Sequence, residues 1–450
     1  MFNKSFLMTM EDGQEVVAKV PNPNDGVHTS PWSVKSPQWT SLEKFLIPQR
    51  LMSTLGTREQ NHIILGHHST TKKLKVILAM TALQKKWLSV SFSHYGILYY
   101  AGDVQSPAGN HYVNEGMAIN DSEFAIGPAT GRDYFDAGRS VLDIENGSWA
   151  SLTQYLQAVG AREIKAMQSL KPPKHIALFC GPKIYQPDAA KKLTALASYQ
   201  KIVDALIPKG TSVTSPCLWH DDVHGDNIFV DPHNSEKITG IIDWQSCHIS
   251  PLFNHNPDPA FLDWDGLEPE TLDQLERSTL YGFSTEERSA AMREYVIQNG
   301  FIGWRKLMHA KNPDLYRVVK FRKTPVYWLI FLAHRMNEIG EAHFLSRLVD
   351  LKDTWADLPG VTRDTPFPFG FSEEDLECIR LDSDDAIAVT ELVSEIKEKI
   401  PDLWPDKGFI EYERYDDCKA VLDELKGQIL DQLAETDEEK AEYQRHWLFE

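Results

Sequence analysis

The middle of the chain carries acidic and polar residues at a spacing that strongly limits how the segment can fold and act. Residues 220–227 read His-Asp-Asp-Val-His-Gly-Asp-Asn, and they precede an apolar run over 228–230, a polar turn and a second apolar run over 238–244. Short apolar runs on either side of a turn predict a β-hairpin. This hairpin would bring Asn227 close to Asp243, with Asp222 five residues before Asn227.

The spacing indicates phosphoryl transfer from a metal-bound nucleotide. In such a site one carboxylate, here Asp222, orients the attacking hydroxyl, and an amide oxygen and a second carboxylate, here Asn227 and Asp243, hold Mg²⁺. Each residue also has a simpler interpretation, Asp222 as a solvated turn residue and the other two as turn-capping or strand-end residues. We expect His220 and His224 to support the loop structurally.

Two alternative interpretations concern the residues around this segment. His220, Asp222 and His224 could chelate a transition metal in a hydrolase if the loop curls, although this hypothesis gives Asp243 no role. Acidic and histidine side chains also follow Asp243, and they would suit a cationic acceptor or form a polar loop. These side chains are His248, His255, Asp258, Asp263 and Asp265.

Composition narrows the class of protein and its partners. The 450 residues are 42% hydrophobic and 10% aromatic, as expected for a globular chain. Residues 371–450 hold 25 acidic and 9 basic residues, a balance of −16, which leaves −3 of the total of −19 for residues 1–370. Because no basic stripe is present to replace phosphate counterions, nucleic acid is not an expected partner. The near-neutral first part is compatible with binding a nucleotide.

The cysteines and apolar runs bear on the cellular compartment. Five scattered cysteines with no CxxC pair favour a reducing compartment. The longest apolar run, residues 326–333, is too short to span a bilayer. The N-terminus reaches Glu11 and Asp12 quickly and does not resemble a presequence. The sequence leaves the oligomeric state open.

Periodicity predicts a short β part followed by a long helical part. Residues 5–21 predict a β-hairpin turning at Asp12-Gly13, whereas 22–70 show no clear pair of strands and a single helical candidate at 41–52. From Leu74 the pattern is mostly helical. The predicted helices cover 74–88, 148–170, 188–207, 269–282, 285–310, 313–338 and much of the last forty residues.

The residues 220–227, followed by Ile-Ile-Asp-Trp over 241–244, resemble the motifs of the aminoglycoside phosphotransferase/choline kinase-like family. The chain is more closely similar to the fungal "altered inheritance of mitochondria" group within that family. Segments that carry this similarity are Phe2-Asn-Lys, Val-Ala-Lys-Val-Pro over 17–21, 91–100, Phe-Ala-Ile-Gly-Pro over 124–128 and Ser-Pro-Leu-Phe over 250–253.

The resemblance implies an α+β, protein kinase-like bilobal fold with a reduced β N-lobe and a large, mainly helical C-lobe. It implies a partial N-terminal lobe over 1–70, a helical C-lobe with the catalytic and metal-binding loop over 71–360, and an acidic helical extension over 361–450. By matching positions, Asp222 is the catalytic residue, Asn227 and Asp243 are Mg²⁺ ligands and Lys19 contacts the phosphates of ATP. The acceptor is a small molecule with a hydroxyl group. The group name favours mitochondria, and the cytoplasm is the alternative without a presequence.

The sequence departs from the family in its first seventy residues. Most of the Gly-rich loop would lie before residue 1, and the hinge strand is not recognisable in 22–70. Glu43 and Glu59 are candidates for the glutamate that pairs with Lys19. These departures keep an alternative open, a degenerate pseudokinase-like binding protein with impaired nucleotide binding. In Asp221 the loop also has an acidic residue where the family has Gly, and its charge would raise the pKa of Asp222 unless the side chain points outward.

Overall fold

The computed structural model describes residues 4–9, 15–20, 63–64 and 70–449, except 105–110, 115, 121, 172–177, 232, 235, 245–246, 263, 265, 277–281, 363, 402, 406–409 and 411. Short strands occur in runs, as over 90–127, and helices follow in a run after residue 284, so the predicted α+β class is confirmed. The chain divides into two compact units. The first comprises residues 1–131, 146–155 and 210–322, and the second comprises 132–145, 156–209 and 323–450.

The strands all belong to the first unit and form small antiparallel sheets. β1 and β2 pair as the predicted N-terminal hairpin, with Lys19 opposite Ser5. The strands are β1 (Lys4–Thr9), β2 (Glu15–Val20), β3 (Ile63–Ile64), β4 (Val90–Phe92), β5 (Ile97–Tyr100), β6 (His111–Asn114), β7 (Met117–Asn120), β8 (Phe124–Gly127), β9 (Pro216–Leu218), β10 (Ile228–Val230), β11 (Ile238–Ile241) and β12 (Ile249–Pro251).

Helices form most of the remaining described chain. They are α1 (Thr70–Leu88), α2 (Leu152–Ser169), α3 (Ala189–Ile202), α4 (Thr211–Thr214), α5 (Thr285–Lys311), α6 (Pro313–Arg322), α7 (Pro325–His334), α8 (Glu341–Thr354), α9 (Glu373–Lys399), α10 (Tyr415–Leu433) and α11 (Asp437–Arg445). In the part of the chain that the structure describes, no helix is long and apolar enough to cross a membrane.

The structure corrects several predicted elements. The stretch directly after α1 is not helical, because β4 to β8 occupy residues 90–127. The predicted helix over 313–338 is two helices, since Pro325 starts a new helix that Thr324 caps through Tyr327 N, at 3.3 Å.

Two predictions in the C-terminal half are also corrected. Residues 269–276 form no helix, whereas 277–281 lie outside the described residues. The acidic segment, which we expected to be helical, contains α9, whose bounds were not predicted and which begins with a capping box between Ser372 and Asp375. The helix predicted for the last forty residues ends at Leu433, and α11 follows it. The candidate helix at 41–52 lies outside the described residues, and the proposed boundaries at 70 and 360 stay predictions.

Aromatic packing in the first unit fixes the segments around residues 220–244. The ring of Trp87 on α1 contacts Trp219 and Trp244 edge to face, at centroid distances of 5.1 and 5.5 Å. β9 pairs with β12, and the backbone of Gly96 pairs with Ile249 of β12. Gly96 has a φ of +153°, and a Cβ there would lie 2.3 Å from a backbone oxygen. That oxygen belongs to Gly127 of β8, so glycine is required where the chain entering β5 passes β8.

The second unit buries an aromatic and aliphatic core between its helices. Phe179, Tyr443 and Trp447 form its centre, with Phe179 to Trp447 centroids 5.8 Å apart. α9 and α10 surround this centre with buried aliphatic side chains, and α11 contributes Tyr443. The acidic C-terminal segment is thus amphipathic, and its apolar face packs inside its own unit.

Candidate active site

The segment 219–227 connects β9 to β10, and the buried His220 holds it in place. The Nε2–H of His220 donates to the backbone oxygen of Ile242 at 2.8 Å, and Nδ1 accepts from the backbone nitrogen of Asp222 at 3.3 Å. A carbonyl can only accept, so these partners require the neutral Nε2–H tautomer. Burial lowers the pKa of His220, in agreement with a neutral ring. His220 therefore has the structural role that we expected from the sequence.

Backbone pairing brings Asn227 next to the residue that precedes Asp243. Ile228 of β10 is paired with Ile241 of β11, and Ile242 N donates to Asn227 O at 3.0 Å. The predicted hairpin is therefore confirmed, although its second strand ends at Ile241. The side-chain nitrogen of the buried Asn227 donates to the backbone oxygen of Asp222 at 2.9 Å. This bond orients the amide and leaves its oxygen as the ligand atom that a hard cation prefers.

Asp222, Asp243 and Asp221 lie around one buried thiol. Burial first, and then the charges of these three carboxylates, raise the pKa of Cys247 well above its ordinary value. Asp243 also has a left-handed φ of +74°, which costs a non-glycine residue about 1–3 kcal/mol and is typical of functional sites. Together with the bonds from Asn227 to Asp222 O and from Ile242 N to Asn227 O, the hairpin brings the backbone around Asp222, Asn227 and Asp243 together.

The extra carboxylate at Asp221 is directed to a partner of its own. His255 Nδ1 donates to Asp221 Oδ2 at 2.9 Å, and the backbone nitrogen of Asn256 donates to Asp221 Oδ1 at 2.7 Å. Burial would raise the pKa of Asp221, but the charge of His255 and these hydrogen bonds outweigh it and lower the pKa. Asp221 therefore stays ionised and paired with His255.

His255 is fully buried and reaches three partners. Besides Asp221, its ring lies 3.1 Å from Cys217 O and 3.0 Å from Ser250 Oγ, both through Nε2. Burial would lower the pKa of His255, whereas the charge of Asp221 and the hydrogen bonds raise it to about 10. The guanidinium of Arg322 donates to the backbone oxygen of His255 at 2.6 Å. The ion pair between Asp221 and His255 ties the loop that carries Asp222 to the segment after β12.

The pair should make stability depend on pH. The contribution of His255 is present below its ordinary pKa of 6.5 and is lost as pH rises towards 10. The contribution of Asp221 to stability is present above its ordinary pKa of 3.8 and is lost as pH falls below that value. With a chelator present, the difference in Tm between the wild type and Asp221→Asn should be larger near about pH 6 than near about pH 10. A difference that is equal at both values would contradict a charged pair.

Other acidic residues after Asp243 also have partners. Arg305 is buried on α5 and pairs with Asp258, Nη2 to Oδ2 at 2.7 Å, and with Glu268, Nε to Oε1 at 2.8 Å. Trp304 Nε1 donates to Asp258 Oδ1 at 2.9 Å. The carboxylates of Asp221, Asp258 and Glu268 are therefore engaged within the chain, which weakens the argument for an acidic lining. Asp263 and Asp265 lie outside the described residues.

The hydrolase hypothesis for His220, Asp222 and His224 is contradicted. Both ring nitrogens of His220 already have backbone partners. His224 Nδ1 accepts from Asp226 N at 3.3 Å. Within the described residues, three metal-ligating side chains of the His, Cys, Asp and Glu types converge at a different place, namely Asp221, His248 and His255.

Lys19 and its candidate partners stay predictions. The backbone of Lys19 belongs to β2, but its side chain is outside the described part of the chain, as are Glu43 and Glu59. Sequence reasoning missed the roles of Asp221 as a paired residue and of Arg305. The spacing of residues could not have identified His255 as the partner of Asp221. The two lie 34 residues apart and meet through the pairing of β9 with β12.

One comparison matches the segment that contains the loop of Asp222 to a protein family. Residues 169–254 match the phosphotransferase enzyme family, a segment that contains Asp222, Asn227 and Asp243. The resemblance to this family that the sequence predicted is confirmed. No solved structure matches the chain.

The similar curated proteins are fungal. A subtelomeric hrmA-associated cluster protein of Aspergillus fumigatus is 25% identical over 60% of this chain and 61% of its own length. The mitochondrial "altered inheritance of mitochondria protein 9" is 22% identical in Lachancea thermotolerans, over 68% of this chain and 52% of that protein. The Saccharomyces cerevisiae protein of that name is 22% identical over 74% of this chain and 56% of that protein. The chain thus spans about three fifths or less of the relatives it matches.

Proposed function

We propose that this chain is a kinase-type phosphotransferase that moves the terminal phosphoryl group of ATP to a hydroxyl group of a small molecule, on a protein kinase-like bilobal fold. The observation that carries the proposal is the grouping of Asp222, Asn227 and Asp243 inside the segment that matches the phosphotransferase enzyme family. Fold-level similarity supports the reaction class and not a particular acceptor.

Each residue has a role that follows from its environment. The side chain of Asp222 is 61% exposed, so it can reach a bound hydroxyl, orient it and take its proton. The donor set fits Mg²⁺, because Asn227 and Asp243 present an amide oxygen and a carboxylate. When bound, the cation neutralises charge on the phosphates. Lys19 is the proposed contact to the nucleotide phosphates, and the names of the yeast relatives favour mitochondria as the compartment.

The proposal predicts Mg²⁺-dependent nucleotide binding that requires Asp243. Asp243→Asn is the sharpest variant, because asparagine tolerates the left-handed backbone and removes only the charge. ATP with Mg²⁺ at about 100 times its Kd should stabilise the wild type by about 2.7 kcal/mol. The stabilisation should be absent in Asp243→Asn and present in Asp226→Asn, an exposed aspartate of the same loop.

Thermal unfolding with ATP and Mg²⁺, with ATP and a chelator, and without ligand measures this directly. Equal stabilisation of the wild type and Asp243→Asn would contradict the proposed metal ligand. Absence of any stabilisation of the wild type would favour the alternative, a pseudokinase-like binding protein on the same fold.

A further inference from the structure

Three metal-ligating side chains meet beside the proposed active site, and the phosphotransferase mechanism uses none of them. Asp221 comes from the loop before β10, His248 precedes β12 and His255 follows it. One ligand atom from each lies within 4.8 Å of the others. Asp221 Oδ2 and His255 Nδ1 are 2.9 Å apart, and the rings of His248 and His255 have centroids 5.2 Å apart.

The surrounding contacts hold two of these ligands in orientations that suit a metal ion. A histidine ligand usually donates its second ring N–H to a backbone carbonyl or a carboxylate. His255 has this arrangement, since Nε2 faces Cys217 O at 3.1 Å and Nδ1 faces Asp221. The other oxygen of Asp221 accepts from Asn256 N at 2.7 Å. The ligand atoms are thus directed by bonds on their far sides.

The donor atoms of Asp221, His248 and His255 prefer a different metal from those of the Mg²⁺ site. Two imidazoles and one carboxylate suit Zn²⁺ and related transition metals, whereas Mg²⁺ prefers oxygen ligands alone. Three protein ligands also leave a position for water. The Asp221 side chain is 34% exposed while His255 is fully buried, which gives an ion a route from one side.

We propose that Asp221, His248 and His255 form a binding site for one transition-metal dication, for which Zn²⁺ is the probe, separate from the Mg²⁺ site at Asn227 and Asp243. Binding replaces the proton on His255 Nδ1, which is released to solvent. The ion then bridges the loop that carries Asp222 and the segment around β12. Because no residue of the Mg²⁺ site takes part, zinc binding does not depend on phosphotransferase activity.

The test is calorimetric titration of Zn²⁺ into the metal-stripped full chain, with thermal unfolding in parallel. The wild type should bind a single equivalent and gain stability. His248→Gln removes a half-buried ligand and should weaken binding by more than about tenfold, as should Asp221→Asn. His233→Gln, an exposed histidine on the turn between β10 and β11, is the matched control and should bind zinc as the wild type does.

Three outcomes decide the proposal. No saturable binding to the wild type would mean that Asp221 and His255 form an ion pair only, and would overturn it. Binding that persists unchanged in both His248→Gln and Asp221→Asn would place the zinc elsewhere on the surface and would also overturn it. Asp243→Asn should keep zinc binding while losing stabilisation by ATP and Mg²⁺, so failure of the zinc site and failure of the proposed function are distinguishable.

Discussion

Asp222→Asn should lower the rate of phosphoryl transfer by about 10²–10⁴-fold, the usual contribution of a positioned general base, and leave the fold intact. The loop holds Asp222 through its backbone, because its nitrogen donates to His220 and its oxygen accepts from Asn227. The carboxylate itself is mostly exposed, and His224 Nε2 lies 3.8 Å from it. Asparagine keeps the size of the side chain and removes the proton acceptor.

The measurement is ATP turnover by the full chain in the presence of candidate hydroxyl acceptors, with water as the default acceptor. Asp226→Asn is the matched control, because it makes the same chemical change four residues away at a side chain that is 69% exposed. The control should keep wild-type turnover, and both variants should unfold at the wild-type temperature. Turnover that is equal in Asp222→Asn and Asp226→Asn would exclude Asp222 as the base.

The sequence predicted the part of the site that local structure assembles. Asn227 and Asp243 flank a hairpin of two short apolar strands, and the pairing of those strands is enough to bring them together. Such contacts depend on turn residues and apolar periodicity, both of which can be recognised in a single sequence. The identity of the residues at each position then gave the chemistry.

The environment of each residue was not predictable, because it depends on contacts distant in the chain. The spacing gave no reason for Asp221 to turn away from Asp222, since its partner His255 arrives through the pairing of β9 with β12. The acidic and histidine residues after Asp243 could have formed an acidic lining or a polar loop, yet Arg305 engages one of them, Asp258, from a separate helix. Charge counts along a sequence do not show which charges are neutralised in the fold.

Strands β6 and β7 and the break between α6 and α7 were also missed. β6 and β7 leave apolar Val113 and Met117 exposed and so lack the alternation of a half-buried strand, although the strands pair over four residues. The break between α6 and α7 had a visible cause in Pro325, but the strong apolar periodicity on both sides suggested one helix. Proline is favoured in the first turn of a helix and interrupts a helix at later positions. Its position therefore decides its effect.

Arg305→Met should destabilise the first unit by about 3 kcal/mol, because removing one partner of a buried ion pair leaves the other charges without compensation. The guanidinium is 3% exposed and bonds to both carboxylates, Asp258 and Glu268, which are each 25% exposed. It also lies 4.5 Å from the centroid of the Phe301 ring on the same helix. Methionine fills similar space, so the lost energy is mainly electrostatic.

Urea unfolding of the full chain, followed by tryptophan fluorescence, measures the change. Arg317→Met is the matched control, since Arg317 pairs with Asp314 on the surface and such pairs contribute about 0–1 kcal/mol. Adding Asp258→Asn and Glu268→Gln to Arg305→Met removes the uncompensated charges and should recover part of the loss. If the triple variant is no more stable than Arg305→Met, the loss comes from packing around Phe301 and not from the charges of Asp258 and Glu268.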